Sequence, residues 1–369
     1  MYKRLAFFTL LTTICVGCSS SPANTVAAPT NTPEKVSFIA TESMLTLQPT
    51  ALTPCDNRKL AETTPTFQNN RIYQVQLDAD FAVRVGFSSD STKIFLNTSE
   101  GIYVLNASDA QLICIIPNKN ASAYGMAVSQ NGSLLASVDI YGNVTLMNAN
   151  NGIVLHKMRI ALYQFQSLNW AEFSDDGSLL VTSGYFQPVT VWDTQSGQVI
   201  LDTLGDHAAI SPDGKLLALR GSNYTQIIDT QNKVALTTKV DEKKEPYFLY
   251  LLFSRDGNFL YGLNVYSEIK VWDVHTGELV RTINPCSNCA GFGWEVECPR
   301  ITLSADGSKL LLVDPSQIIL WNTQTWEKIM SENNFNNRPL SDASISPDGK
   351  KIVVTFQYND PIRFFYVDQ

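Results

Sequence analysis

The sequence predicts an all-β protein built as a ring of small antiparallel sheets, and this prediction rests on its internal repeats. A five-residue phrase, clearest at Phe173 to Gly177 and Ile210 to Gly214, occurs seven times. The copies end at Ser91, Gly132, Gly177, Gly214, Gly257, Gly307 and Gly349, with spacings of 37 to 50 residues. A period of about 40–45 residues is the length of one four-stranded propeller blade. The spacing therefore predicts a seven-bladed β-propeller.

Each phrase is expected to form a hairpin turn between two strands. Asp-Gly or Asn-Gly supplies the positive φ angles that a tight hairpin turn requires. Apolar runs follow the turns, as at Leu179 to Val181 and Leu310 to Leu312. A strand with apolar residues at successive positions is covered on both faces, as expected where sheets stack around an axis.

A third strand ends each repeat, most clearly at Val191-Trp192-Asp193, Val271-Trp272-Asp273 and Leu320-Trp321-Asn322. With these residues the chain resembles the WD-repeat β-propellers, and more loosely the YVTN-like propellers, over residues 71–369. The sequence departs from the family at the Trp position in the other four repeats, which carry Leu105, Met147, Ile228 and Phe365. The Gly-His opening of the family repeat is also missing, apart from an imperfect Gly205-Asp206-His207.

The seventh blade lacks one strand, because the chain stops just after its third strand at Gln369. Arg71 to Leu77 precedes the first phrase and has the pattern of a strand. We predict that it completes the seventh blade and closes the ring, which removes exposed sheet edges. A ring of six or eight blades, with the weaker copies misassigned, is the alternative.

The N-terminus has the pattern of an export signal. Lys3 and Arg4 precede an uncharged apolar run from Leu5 to Val16, which is too short to span a hydrocarbon core of about 30 Å. Cys15-Val16-Gly17-Cys18 resembles the cleavage site of a bacterial lipoprotein. The resemblance implies removal of residues 1–17 and lipidation of Cys18, and acyl chains would then hold the protein on a membrane. Cys15 stands where that family usually has Leu, and ordinary signal cleavage is the alternative.

Residues 18–70 are rich in Thr, Pro, Ala and Ser. Such a segment buries too little apolar surface to offset its ordering entropy. We therefore predict a disordered tether that joins the lipid to the propeller, with the whole protein outside the cytoplasm.

Charge and composition argue against several functions. The formal net charge is -8, and the chain contains three histidines. A negative chain without a basic cluster repels nucleic acid, and so few histidines provide little material for a metal or His-based centre. The motifs Gly-x-Ser-x-Gly and His-Glu-x-x-His are absent from the sequence. We assign no catalytic residue, metal or cofactor, and we expect a monomer.

A candidate binding ring emerges when the seven repeats are aligned on the first residue of the phrase. The residues three positions earlier are Arg84, Gly125, Trp170, His207, Tyr250, Arg300 and Asp342. In a propeller this position lies near the mouth of the central channel, and in the WD-repeat resemblance such residues grip peptides. The alternative is that strand beginnings are simply solvated and tolerate polar residues.

The longest excursion, Asn284 to Pro299, contains Cys286, Cys289 and Cys298. An exported location favours disulfides over metal binding, and Cys55 and Cys114 are further cysteines. The pairing is left open. By the predicted strand order this loop emerges on the face of the ring, where Phe292 and Trp294 would provide apolar contacts or pack on the blade beneath.

These observations favour a non-enzymatic, lipid-anchored propeller that binds a protein or peptide through the ring and the cysteine loop. Two alternatives stay open. One is a propeller-type hydrolase that uses channel carboxylates and a metal such as calcium. The other is a cell-envelope glycan-binding module with Trp170, Tyr250 and Trp294 as stacking platforms.

Overall fold

A computed structural model of the chain describes residues 66–69, 72–75, 84–98, 100–117, 123–160, 167–185, 188–221, 225–240, 248–284, 299–333, 335, 338–357 and 361–367. Within these residues the regular secondary structure consists of strands. No helix in this part of the chain is long and apolar enough to cross a membrane.

The strands form seven antiparallel sheets, which confirms the predicted seven-bladed β-propeller. Blade one contains β3 (Arg84–Phe87), β4 (Lys93–Asn97), β5 (Gly101–Asn106) and β6 (Leu112–Pro117). Blade two contains β7 (Ala123–Val128), β8 (Leu134–Asp139), β9 (Asn143–Asn148) and β10 (Val154–Arg159). Blade three contains β11 (Ser167–Phe173), β12 (Leu179–Tyr185), β13 (Pro188–Asp193) and β14 (Val199–Leu204). Blade four contains β15 (His207–Ile210), β16 (Leu216–Arg220), β17 (Thr225–Asp229) and β18 (Ala235–Val240).

The remaining blades complete the ring. Blade five contains β19 (Phe248–Phe253), β20 (Phe259–Asn264), β21 (Ile269–Asp273) and β22 (Leu279–Ile283). Blade six contains β23 (Arg300–Leu303), β24 (Lys309–Asp314), β25 (Gln317–Asn322) and β26 (Lys328–Glu332). Blade seven combines β27 (Leu340–Ile345), β28 (Lys351–Phe356) and β29 (Ile362–Tyr366) with β2 (Ile72–Val75) and β1 (Thr66–Asn69).

The ring is closed by the N-terminal strand, as predicted. β2 pairs antiparallel with β29, with Ile72 opposite Phe365 and Val75 opposite Ile362. The inner strands of the last and first blades, β27 and β3, are also in contact. The sequence analysis did not predict β1, which pairs with β2 as a fifth, outermost strand of blade seven and lies within the segment 18–70.

Each of the seven phrases forms the same type of turn, and the same side-chain hydrogen bond occurs in each of them. In every copy the Ser hydroxyl donates to the Asp or Asn side chain two residues later, at 2.5 to 2.8 Å. The last residue of every phrase has a positive φ, from 60° at Ser91 to 74° at Gly257. Glycine adopts this conformation without steric cost, which explains why it ends six of the seven copies.

The core lies between neighbouring blades. The Trp position of the third strand is buried in all seven blades, including the four in which Leu105, Met147, Ile228 and Phe365 replace Trp. Where Trp is present, its polar group needs a partner, and Trp192 Nε1 donates to Thr182 Oγ1 at 2.9 Å. Any large apolar side chain therefore fills this gap between blades.

Candidate functional site

The predicted ring positions lie within the first four residues of the inner strands, and most of their side chains are buried. Arg84, His207, Tyr250 and Asp342 are 6 to 8% exposed, whereas Trp170 and Arg300 are partly buried. The alternative interpretation expects solvated side chains at these positions, whereas most of them are buried. These side chains therefore contact other parts of the protein.

Three aromatic rings from blades three, four and five meet on one side of the ring. The centroids of Trp170 and Tyr250 are 4.8 Å apart, edge to face, and those of His207 and Tyr250 are 4.7 Å apart. Trp170 also stacks on His207, with centroids 5.4 Å apart. Contact between Trp170 and Tyr250 spans blade four, so we call these three residues the aromatic cluster.

Charged residues from blades six, seven and one form the other side. Arg300 Nη1 donates to Asp342 Oδ1 at 2.9 Å, and both side chains are largely buried. The second oxygen of Asp342 accepts the backbone N–H of Val85 at 3.0 Å. Asp342 therefore joins three blades, because it binds an arginine of blade six and the inner strand of blade one.

Gly125 is the ring position without a side chain, and the neighbouring blade explains why. A Cβ atom at Gly125 would lie 3.0 Å from the backbone of Asn169 and 2.4 Å from Val138. The inner strand of blade three approaches too closely for any larger residue. Blade two therefore leaves a gap in the ring of side chains.

The aromatic cluster contains buried polar atoms without partners. Among the described residues, neither ring nitrogen of His207 has a hydrogen-bond partner, and neither does Trp170 Nε1. Burial lowers the pKa of His207 well below its ordinary value, and the nearby guanidinium groups of Arg220 and Arg300 add to this effect. His207 is therefore neutral at physiological pH and has one donor and one acceptor nitrogen. Buried unpaired groups of this kind are rare in folded proteins and require an explanation.

Two charged side chains near the ring positions were not predicted by the sequence analysis. Arg220 is 1% exposed, and its Nη1 donates to the carbonyl oxygen of Phe248 at 2.6 Å. It pairs with His207 across β15 and β16, and it fixes blade four against blade five. Its position at the end of an apolar run, Leu216 to Leu219, was the available signal.

The second missed residue is Glu172, which lies one position before the phrase of blade three. The other blades carry uncharged residues there: Gly86, Ala127, Ala209, Leu252, Thr302 and Ser344. Ile210 of the next blade donates its N–H to Glu172 Oε2 at 3.2 Å, at the unpaired edge of β15. Burial raises the pKa of Glu172 to about 8, although the Ile210 bond and Arg255 act in the opposite direction. This carboxyl is therefore mostly protonated at neutral pH.

The alternation along the inner strands supports this placement. The residues two positions before the phrase were predicted to be core, and all seven are buried: Val85, Met126, Ala171, Ala208, Leu251, Ile301 and Ala343. Neighbouring positions in a strand point to opposite faces. Glu172 therefore lies on the same face of its strand as the ring position Trp170, and its bond to Ile210 shows that this face meets the next blade.

Several predicted residues lie outside the described part of the chain. They are Cys18, Cys55, Cys286, Cys289, Cys298, Phe292 and Trp294. Cys114 is described and is buried in β6. Among the described residues, no group of three or more His, Cys, Asp or Glu side chains is arranged to hold a metal ion.

Because the polar ring atoms of His207 and Trp170 are buried and the Arg300–Asp342 pair is largely buried, the ring positions do not form a solvated rim. The aromatic cluster offers hydrogen-bond donors, an acceptor nitrogen and aromatic surface. The charged side chains around it carry a net charge that is zero or positive. Comparison of the chain with known protein families and with curated proteins finds no match.

Proposed function

We propose that this protein is a lipid-anchored, extracytoplasmic propeller scaffold, of WD-repeat type, that binds a protein or peptide at the aromatic cluster. The observation that carries the proposal is that the buried ring nitrogens of His207 and Trp170 lack hydrogen-bond partners among the described residues. Free energy of about 1–3 kcal/mol is lost when a buried polar group is left unpaired, and a ligand that pairs these atoms recovers it.

The chemistry of the cluster suits a peptide. Trp170 offers an N–H donor, and neutral His207 offers one donor and one acceptor. A peptide bond presents a carbonyl oxygen and an N–H group in fixed geometry, so one segment of extended chain can satisfy both residues. The rings of Tyr250 and Trp170 provide apolar surface for the adjoining side chain, and the Arg300–Asp342 pair provides a polar boundary.

A peptide-display selection against the full-length protein in mild detergent tests the proposal. Enriched peptides are synthesised, and their affinities are measured by fluorescence anisotropy. We expect His207→Phe and Trp170→Phe to weaken binding about tenfold or more, because each keeps an aromatic ring and removes the hydrogen-bonding atoms. His275→Phe is the matched control, since His275 is exposed in a turn between the third and fourth strands. Equal affinity for all three variants would refute binding at the cluster.

The proposed location rests on the N-terminal sequence. The positive n-region, the apolar run to Val16 and Cys18 support export and lipidation. Both an anchor and an interaction surface are expected in a scaffold that holds its partner near a membrane.

Glu172 supports a second candidate, a propeller-type hydrolase. A carboxyl group that is protonated at neutral pH is suited to act as a general acid. Hydrolysis of chromogenic glycosides and esters, lost in Glu172→Gln, would favour this candidate over the scaffold. Absence of turnover, with peptide binding intact, would favour the scaffold.

A further inference from the structure

A cavity lies on the opposite face of the propeller from the aromatic cluster. It has a volume of about 310 Å³ and lies between blades five and six. Its walls come from the phrase turns of these two blades and from the turn that follows β25. The phrase turns end the inner strands, whereas the ring residues lie near their beginnings, so the two sites are on different faces. The cavity falls at the lower end of the ~300–1,000 Å³ range of small-molecule pockets.

Trp326 lines this cavity in a conformation that few residues adopt. Its φ is +61°, and its N–H donates to the carbonyl oxygen of Asn322 at 2.8 Å. The same position of the same turn has a positive φ in blades one to five as well, where it is occupied by Ala110, Gly152, Gly197, Lys233 and Gly277. Trp326 has the largest side chain of these residues, and a large side chain at positive φ is strained. The turn itself needs no tryptophan, because glycine serves it elsewhere.

The surroundings of Trp326 hold its indole at the cavity wall. The Arg281 guanidinium lies 5.6 Å from the centroid of the indole, and the Tyr261 ring lies 6.2 Å away. Arg281 is exposed, whereas Trp326 is partly buried. The Trp326 indole is therefore held at the cavity wall, beside the exposed Arg281 guanidinium, which can donate hydrogen bonds.

Tyr261 adds a polar group to the cavity wall. Its side chain is 4% exposed and lines the cavity. A tyrosine hydroxyl can both donate and accept a hydrogen bond, so it can pair with a polar atom of a ligand in the cavity.

The charges of the cavity wall balance. Arg255 and Arg281 are opposed by Asp256 and Asp306. Both carboxylates are already bound within their own turns, Asp256 by Ser254 at 2.5 Å and Asp306 by Ser304 at 2.6 Å. Arg255 is bound by Asp175 at 3.0 Å. A wall without net charge, with an aromatic platform and a tyrosine hydroxyl, favours a neutral ligand that has both an apolar face and hydroxyl groups.

We propose that this cavity binds a neutral sugar residue, with the sugar ring against the Trp326 indole and its hydroxyl groups on Tyr261, Arg281 and the exposed amide of Gln324. The site is independent of the proposed peptide site, because no residue is shared between them. It differs from the glycan site considered in the sequence analysis, which used Trp170, Tyr250 and Trp294.

Saturation-transfer NMR on the full-length protein in detergent tests the proposal. The probes are glucose, galactose, mannose, N-acetylglucosamine and their α- and β-linked disaccharides, with glucuronic acid as the anionic comparison. We expect transfer to at least one neutral sugar and a weaker signal from glucuronic acid. Transfer to none of the neutral sugars, or stronger binding of glucuronic acid, would overturn the proposal.

Variants locate the binding. Trp326→Gly, which suits the backbone conformation, should abolish transfer, and Tyr261→Phe should weaken sugar affinity about fivefold or more. Lys233→Gly is the matched control, since Lys233 has the equivalent positive φ in blade four. His207→Phe should leave sugar binding unchanged, which separates this site from the peptide site. Thermal melting shows whether Trp326→Gly remains folded. Binding that persists in a folded Trp326→Gly variant would refute the site, and if this variant is unfolded, the Tyr261→Phe result decides.

Discussion

Arg255 Nη1 donates to Asp175 Oδ1 at 3.0 Å, although these residues belong to blades five and three. On the opposite face Trp170 and Tyr250 join the same two blades, with centroids 4.8 Å apart. Blade four lies between them and has a short inner strand of four residues, β15. Ala208 of this strand packs in a cluster with residues of blade three, and Ala209 packs in a cluster with residues of blade five. The two faces are therefore bridged at the same angular position in the ring.

The Asp175–Arg255 pair should contribute modestly to stability. Both side chains are about one-third exposed, so we expect a coupling free energy of ~0.5–1 kcal/mol. A double-mutant cycle with Asp175→Asn and Arg255→Gln, followed by urea unfolding, measures it. The exposed Lys215–Asp213 pair, at 3.1 Å, is the control and should couple less. Equal coupling in the two pairs would contradict a bridging role.

Glu172 should make the protein less stable as the pH rises. Burial raises its pKa to about 8 from an ordinary 4.5, so the folded protein binds this proton more tightly than the unfolded chain does. The resulting stabilisation is complete below about pH 4.5 and is lost as the pH rises through 8. In Glu172→Gln the loss between pH 5 and pH 8 should be smaller by ~2–3 kcal/mol, measured by urea unfolding.

The side-chain amide oxygen introduced by Glu172→Gln would still accept the Ile210 N–H. The variant therefore removes the titrating group and keeps this hydrogen bond. Glu327→Gln, at an exposed turn, serves as control and should leave the pH profile unchanged. If the wild type and Glu172→Gln lose stability in parallel, the carboxyl is ionised in the folded protein.

Removal of the closing strand should open the ring. A chain that begins at residue 78 lacks β1 and β2 and leaves β29 as an unpaired edge. We expect a lower melting temperature and concentration-dependent association, because exposed edges template pairing with other chains. A chain that begins at residue 62 retains both strands and is the control. Calorimetry and light scattering measure the two effects, and a monomeric short chain with unchanged melting would argue against closure as a source of stability.

The proposed lipidation of Cys18 predicts that the protein associates with membranes and that this association depends on Cys18. Wild-type protein expressed in a bacterium with the lipoprotein pathway should fractionate with membranes and carry acyl groups on its N-terminal peptide. Cys18→Ala should lose both properties, since the acylated residue is missing. Mass spectrometry of the N-terminal peptide distinguishes this from ordinary signal cleavage, after which Cys18 would be unmodified or absent.

If the protein is exported, as proposed, its cysteines should be largely oxidised. We expect peptide mapping without reductant to reveal at least one linked pair that includes Cys286, Cys289 or Cys298. Five cysteines besides Cys15 and Cys18 leave at least one without an intramolecular partner. Complete alkylation of all thiols before reduction would exclude disulfides.

The sequence analysis predicted the structural features that recur in every repeat, and it did not predict residues that are exceptional in a single blade. The turn phrase, the third-strand position and the closing strand recur or complete a pattern, so the blade count and the ring positions followed from alignment alone. Glu172 is the charged residue at a position where the other blades carry uncharged residues, and Trp326 is the aromatic residue at a turn position where the other blades carry Gly, Ala or Lys. Such exceptions become visible only when every position of the repeat is compared.

The contacts within the ring were beyond prediction for a different reason. Alignment placed Trp170, His207 and Tyr250 at equivalent positions, but not the distance across the channel. That distance depends on how closely the blades pack. Alignment therefore indicated which positions are equivalent, and the structure shows that three of these side chains touch.

The outermost placement of β1 determines how a mechanical load would enter the molecule. A pull on the chain before Thr66 acts first on the β1–β2 hairpin and then on the pairing of β2 with β29. These bonds would separate one after another from the rim inward, and the next to yield would be the seam of the ring. If the protein is anchored through its N-terminus, tension on the chain would therefore open the propeller at the β2–β29 pairing of blade seven, before it disturbed the other six blades.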